Sequence, residues 1–162
     1  MGIYVRPAYI FSMDSVANVA TANNYLSLFN PTGSGRVIIV GGFFISSSLL
    51  TSSSITASLR GWRISAASGG TLQADSAVGK VQSRFPDPIA QVRTENPTVT
   101  LGAALFNSPS PIQDKAAPVH DVALPSIGAV FTMVPGEGIV LRSESGIGVG
   151  ATWNITAVWA EA

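Results

Sequence analysis

The sequence contains no cysteine and few charged residues, and both absences exclude whole classes of protein. Without thiols there is neither a disulfide framework nor a thiolate metal site, so stability must come from packing and subunit contacts. Charged residues make up 11% of the chain and cancel to a net charge of zero, whereas about 25% is typical. We expect no nucleic-acid or anionic-membrane partner, because either would select a basic patch.

Long hydrophobic runs are also absent. The longest apolar run, residues 37–45, contains two glycines and is far shorter than the roughly 20 residues that span a bilayer. Near the N-terminus, Pro7 and Asp14 interrupt the only stretch that resembles a signal peptide. The 162 residues suffice for one domain with a real core. So neutral a domain is expected to work with much of its surface covered, as an oligomer or assembly.

The C-terminal quarter has the clearest strand pattern. The even positions Thr152, Asn154 and Thr156 are polar, and this alternation indicates a long strand with one buried face. The tetrad at 135–138, Pro-Gly-Glu-Gly, predicts a turn between two further short strands. We therefore predict a single all-β domain, an antiparallel β-sandwich or jelly roll of roughly eight strands. The alternating odd positions are Val149, Ala151, Trp153, Ile155, Ala157 and Trp159.

Three more strands are indicated upstream. Residues 25–29 form a short apolar run before a dense turn signal. Residues 36–46 are apolar without alternation, which predicts either a strand buried on both faces or a central strand with a bulge near Gly41 and Gly42. Residues 55–66 alternate again, and we expect Gly61 to shift the register.

Residues 1–24 show no clear period and are predicted to be an extended N-terminal arm, with the sandwich domain spanning 25–162. The arm either docks on its own sheet or reaches across to a neighbouring subunit. A disordered tail is disfavoured, because such tails are poor in aromatics and rich in charge. Deleting residues 1–22 is then expected to leave the domain folded while weakening assembly. The predicted interface residues of the arm are Tyr4, Tyr9, Phe11 and Val16.

The segment at about 75–124 differs in amino-acid composition from the rest of the chain. It contains six of the ten prolines and the only histidine. Proline removes ladder donors and forces extended or turn geometry. We predict a long, largely irregular excursion with one strand, at 98–106, and such loops usually have a use.

No motif predicts chemistry. His120 beside Asp121 lacks the cysteines of a typical zinc site and the shaped nucleophile turn of a hydrolase. The glycine-rich segments 33–35 and 146–150 lack the phosphate-binding lysine and do not lie between a strand and a helix. The acidic residues are scattered, so neither a glycosidase pair nor a calcium loop is indicated. We expect no catalytic, cofactor or metal site and no enzyme.

The tryptophans leave two interpretations open. Trp62, Trp153 and Trp159 could line a sugar-binding groove, but their positions within alternating strands favour a packed core. The glycosylation triplet at 154–156 falls inside the last strand, where a glycan would have to leave the sheet, and we interpret it as coincidence.

Two segments carry a resemblance to a known family. Residues 25–35, Tyr-Leu-Ser-Leu-Phe-Asn-Pro-Thr-Gly-Ser-Gly, resemble the SLxNPxGSG opening of small structural proteins of tailed bacteriophages. Residues 134–142, Val-Pro-Gly-Glu-Gly-Ile-Val-Leu-Arg, followed by Trp153 and Trp159, are similar to the closing strands of those proteins. The resemblance covers both ends of the domain and leaves the middle excursion unmatched.

The resemblance implies a capsid decoration (cement) protein, a β-sandwich or jelly roll that binds the capsid lattice as a trimer. The implied partners are itself, as a homotrimer, and the phage major capsid protein. The implied location is the outer capsid surface of the virion, after synthesis in the host cytoplasm. An alternative is a tail, baseplate or head-fibre module that binds a host-surface carbohydrate, with the tryptophans or Tyr4 and Tyr9 stacking on sugar rings.

Overall fold

The computed structural model describes residues 6–49, 55–112, 131–144 and 150–162. These residues form two antiparallel sheets packed on each other, which confirms the predicted all-β sandwich. Their only helical segment is a 3₁₀ turn at Asp75–Ala77. The strands are β1 Ala8–Ala17, β2 Asn23–Phe29, β3 Ile38–Leu49, β4 Ile55–Ser68, β5 Thr71–Leu72, β6 Gly79–Lys80, β7 Gln91–Thr94, β8 Thr98–Ile112, β9 Phe131–Met133, β10 Gly138–Ser143 and β11 Ala151–Glu161.

Neighbours in each sheet are mostly distant in sequence. The first sheet has the order β6-β1-β11-β3-β9, and the second has the order β5-β7-β2-β10-β4-β8. The N-terminal strand β1 and the C-terminal strand β11 therefore lie side by side in the first sheet. Most of the fold depends on pairings between remote segments, and we expect it to fold as one cooperative unit.

The core lies between the two sheets, and the alternation of β11 is confirmed. Trp153, Ile155, Ala157 and Trp159 are all buried in it. The second sheet contributes leucine and isoleucine side chains of β2 and β10 to the same core. The alternation of β11 predicted one apolar face. That face is the one that packs against the second sheet.

The two predicted register shifts are both found, one of them in a different form. The β3–β11 register skips between Val158 and Trp159, which leaves Gly41 as the extra residue and confirms the bulge. In β4 the ladder to β10 runs unbroken through Gly61, whereas the ladder to β8 shifts there. The extra residue lies in β8, at Leu105, because Gly61 pairs with Phe106 and the next residue pairs with Ala104.

Of the two alternatives for the predicted arm, residues 8–17 follow the first, docking on the domain's own sheet, whereas the prediction of an arm separate from the sandwich domain is wrong for them. They form β1, which pairs with β11 along most of its length. Tyr9 and Phe11 are buried in the domain's own core, and Val16 packs against that core, so none is left for another chain. The physical reason is that β11 is a central strand and β1 supplies its second neighbour. Tyr4 lies outside the described residues.

The Pro-rich excursion is also more regular than expected. Strands β6 and β7 lie within it, and β8 continues to Ile112, beyond the predicted end at 106. Pro109 and Pro111 fall in the extended part of β8, which occupies the edge of the described second sheet. An edge strand tolerates proline because one side of it makes no ladder hydrogen bonds. Residues 113–124 lie outside the described part.

Candidate functional site

The described residues contain no group of three or more His, Cys, Asp or Glu side chains placed to hold a metal ion. His120, Asp121 and residues 146–149 lie outside the described part. The segment 33–35 is a turn, and Gly33 and Gly35 adopt φ of 82° and 66°, a region that favours glycine. The glycines are explained by backbone geometry there, without a phosphate.

The tryptophans divide between the core and the surface. Trp153 and Trp159 are buried, and each indole N–H donates within the core, to Asn18 Oδ1 at 3.2 Å and to Glu161 Oε1 at 3.3 Å. Tyr9 stacks on Trp159 with ring centroids 5.8 Å apart. Trp62 is half-buried, next to a small apolar cluster outside the main core. A tryptophan-lined sugar groove is therefore not formed by these side chains.

The glycosylation triplet is engaged in the first sheet. The side chain of Asn154 donates to Ser46 Oγ at 3.2 Å and accepts from the backbone N–H of Ser15 at 2.7 Å. Both contacts use the side-chain amide that would carry a glycan. The structural role of Asn154 in the sheet therefore explains the residue without glycosylation.

A buried carboxylate fastens the Pro-rich segment to the chain end. Glu161 is 3% exposed, and Oε1 accepts from the backbone N–H groups of Ile89 and Ala90 at 2.9 and 3.0 Å. The Trp159 indole donates to the same oxygen. A carboxylate that accepts several N–H bonds can stay buried because its hydrogen-bonding capacity is used.

Tyr9 lies beside this carboxylate. Its hydroxyl donates to the carbonyl of Pro86 at 3.1 Å, which ties β1 to the same Pro-rich segment. Burial raises the pKa of Tyr9 above its usual value, and the negative charge of Glu161 raises it further. Both effects disfavour the tyrosinate, so the hydroxyl is kept as a donor.

The two segments that carry the phage resemblance meet at Asn30. Its side-chain amide donates to the carbonyls of Arg36 and Met133 at 2.8 and 2.9 Å. Ser34 Oγ donates to Asn30 Oδ1 at 2.6 Å, and the backbone N–H of Gly136 donates to the Asn30 carbonyl at 2.8 Å. One buried asparagine thus holds the turn after β2 against the turn before β10.

A cleft of about 450 Å³ opens beside β1, between the two sheets. One end is near the turn after β7, where Glu95 and Asn96 both adopt φ of 58°, an unusual conformation for residues other than glycine. Thr71 Oγ1 donates to the Glu95 carboxylate. Glu95 is the only carboxylate in the described lining, so the cleft does not contain a paired acid and base. The lining is Phe11, Ser12, Met13, Val16, Asn23, Tyr25, Gln73, Ala77, Thr94 and Glu95.

The outward face of the first sheet carries no charge on its three long described strands, apart from Asp14 at its border. Phe44 and Ile10 are 45% and 39% exposed there. Its polar groups bond to one another, as in the Ser12–Thr156 hydroxyl pair at 2.8 Å. We call this surface the neutral face. It consists of Ile10, Ser12, Ile39, Gly42, Phe44, Ser46, Asn154, Thr156, Val158 and Ala160.

The sequence pattern alone did not predict the neutral face. Phe44 follows Phe43 in a run without alternation, and the Gly41 bulge changes which positions face outward. The signal in the sequence was the lack of charge at the even positions of β11, such as Thr156 and Val158. That signal indicates a neutral surface only when β1 and β3 are known to flank the strand.

Three comparisons with known proteins give no match: no family model, no curated protein and no solved structure matches this chain. Among the described residues, no helix is long and apolar enough to cross a membrane.

Proposed function

We propose that this chain is a structural virion protein of a tailed bacteriophage, a capsid decoration (cement) protein that acts without catalysis. It binds the major capsid protein lattice on the outer capsid surface as a homotrimer and stabilises the head. The observation that carries the proposal is the neutral face, and the resemblance of residues 25–35 and 134–142 supports it. The chain contains no cysteine, which is compatible with synthesis in the host cytoplasm, where disulfides rarely persist.

The neutral face is suited to being covered. Exposed apolar side chains such as Phe44 and Ile10 favour association, because burying them removes apolar surface from water. Its polar side chains are paired within the face, Ser12 with Thr156 and Asn154 with Ser46. A partner that covers these pairs therefore leaves fewer donors and acceptors unsatisfied than it would over unpaired side chains.

The test is binding to empty shells. Shells of the major capsid protein encoded in the same genome would be sedimented with purified wild type, Phe44→Glu or Leu72→Glu. Leu72 is a matched control, because it is 48% exposed but lies on β5 in the other sheet. We expect wild type and Leu72→Glu to cosediment, and Phe44→Glu to lose most binding. Equal binding by all three, or none by wild type, would contradict the proposal.

The cleft favours one alternative, a tail, baseplate or head-fibre module that binds a host-surface carbohydrate. Its volume of about 450 Å³ lies within the range usual for small-ligand sites. Gln73, Thr94 and Glu95 place amide, hydroxyl and carboxylate groups along it, which are groups that bind sugar hydroxyls. A glycan array of wild type and Glu95→Gln tests this alternative, which requires wild-type binding that the variant weakens.

A further inference from the structure

Three arginines share the outward face of the second sheet, opposite the neutral face. In β10, Ile139 and Leu141 point into the main core, so Arg142 points outward. Arg60 of β4 is paired directly with Arg142 in the β4–β10 ladder. Arg93 of β7 lies on the same side, since it is paired with Ser27, which is paired with outward Val140. We call Arg60, Arg93 and Arg142 the arginine face.

No carboxylate of the described residues pairs with any of these three arginines. Arg142 donates to Asn24 Oδ1 at 3.0 Å, and Arg93 donates to the carbonyl of Gly69 at 3.0 Å. Like charges directly opposite each other on adjacent strands are destabilising. By contrast, Arg63 has an ion pair with Glu137 at 3.0 Å. Among the described residues, no ion pair therefore offsets the like charges of Arg60 and Arg142.

The same face holds polar atoms that are shielded from water and lack a partner. They include Nε of Arg60, Nε of Arg93 and the indole nitrogen of Trp62. The hydroxyl of Ser27 also lacks a hydrogen-bond partner, and this residue is fully buried. Buried polar groups without partners are uncommon in folded proteins, and each one calls for an explanation.

We propose that the arginine face docks an acidic segment of another protein that presents at least two carboxylates. Directly opposed residues lie about 5 Å apart, so one carboxylate can bridge the guanidinium groups of Arg60 and Arg142. Arg93 lies two strands away from β10, about 10 Å across the sheet, within reach of a second carboxylate on the same segment. The arginine fork matches a carboxylate with two parallel hydrogen bonds.

An acidic protein segment fits better than nucleic acid. Nucleic-acid binding neutralises a long row of phosphates, whereas this face offers three cations on a chain of zero net charge. The arginine face is separate from the neutral face, so the proposal holds whether or not the partner of the neutral face is a capsid protein.

The test uses hexaglutamate peptide as the probe, with a Gly-Ser peptide of equal length as the control. Binding would be measured by calorimetry for wild type, Arg60→Gln/Arg142→Gln and Arg84→Gln. Arg84 is an exposed arginine outside the face. We expect wild type and Arg84→Gln to bind hexaglutamate but not the Gly-Ser peptide. The double variant should bind hexaglutamate at least tenfold more weakly, and high salt should weaken the binding of wild type.

Four results would overturn the proposal. The first is the absence of measurable hexaglutamate binding to wild type. The second is tighter binding of a thymidine oligonucleotide than of the peptide. The third is dissociation of the unliganded oligomer in Arg60→Gln/Arg142→Gln, which would make a second copy the partner. The fourth is undiminished hexaglutamate binding by the double variant, because the two substituted arginines supply the proposed contacts.

Discussion

At the scale of single residues, buried polar side chains connect segments that lie far apart in sequence. Glu161 holds the backbone of Ile89 and Ala90 to the last strand. Asn30 joins the turn after β2 to the carbonyl of Met133. A buried polar group is costly unless it is bonded, so each of these side chains favours the one arrangement in which its partners are in place.

Replacing Glu161 with alanine removes the acceptor for the partly buried backbone N–H of Ile89 and the buried one of Ala90. We expect a loss of about 3 kcal/mol of unfolding free energy, since unpaired buried donors and lost charge-assisted bonds each cost 1–3 kcal/mol. Urea denaturation measures the change. Asp14→Ala is the control, an exposed acid for which we expect almost no effect. Amide exchange should accelerate at Ile89 and Ala90, and unchanged exchange there would contradict the assigned contacts.

Tyr9 gives the protein a dependence on alkaline pH. Its pKa in the folded state is raised above the ordinary value of 10.0 by burial and by Glu161. Its contribution is therefore complete below pH 10 and is lost as pH rises through the folded pKa. The melting temperature of wild type should fall more steeply above pH 10 than that of Tyr9→Phe. Parallel melting curves against pH would show that Tyr9 is not responsible.

At the scale of elements, β1 is the strand whose role differs most from its sequence pattern. Removing residues 1–17 would expose β11 along the edge that β1 covers and take Tyr9 and Phe11 out of the core. Each buried aromatic contributes about 1.5–3 kcal/mol, out of a total stability of about 5–15 kcal/mol. We therefore expect this truncation to lose the β-sheet circular dichroism signal, which reverses the sequence-based expectation that the domain stays folded without residues 1–22. A folded 18–162 fragment would refute the assignment of β1.

The pairing of β4 with β8 near Phe106 depends on Gly61. A Cβ there would lie 2.2 Å from the ring of Phe106, which packs in a tilted arrangement on Phe43 with centroids 6.1 Å apart. Gly61→Ala should cost about 1–3 kcal/mol, as overpacking usually does. Gly42→Ala is the control, because nothing lies within 4 Å of its Cβ position. Equal melting temperatures for the two variants would mean that the ring moves aside freely.

The elements that the sequence predicted best are those whose local pattern agrees with their burial. Strand β11 alternates along its length, and the two glycines of β3 mark a true bulge. Strand β1 was missed because Ile10 interrupts the apolar alternation and because Ser15, at φ of 55°, breaks the register before Val16. Short β7 alternates, with Val92 and Thr94 buried, but four residues are too few to predict a strand without its pairing with β2 and β5.

The candidate surfaces were less accessible to sequence reasoning than the strands. The neutral face combines residues of β1, β3 and β11, and the arginine face combines residues of β4, β7 and β10. In sequence, Arg60 and Arg142 are remote, and only the antiparallel register makes them neighbours. A surface of this kind follows from strand order, which local periodicity does not encode.

At the scale of the whole molecule, the two proposed surfaces lie on opposite sides of the sandwich. The neutral face belongs to the first sheet and the arginine face to the second. One protein can therefore be held by apolar contact on one side and bind a charged partner on the other. Such two-sided binding suits a component of an assembly, where many copies act together.

The most direct test of the proposed function is the copy number of this protein in purified phage particles, measured by quantitative mass spectrometry against the major capsid protein. Decoration of the lattice predicts a fixed ratio, with copies comparable in number to the capsid subunits. A tail, baseplate or fibre role predicts only a few copies for each particle. A few copies, or none, would contradict the account.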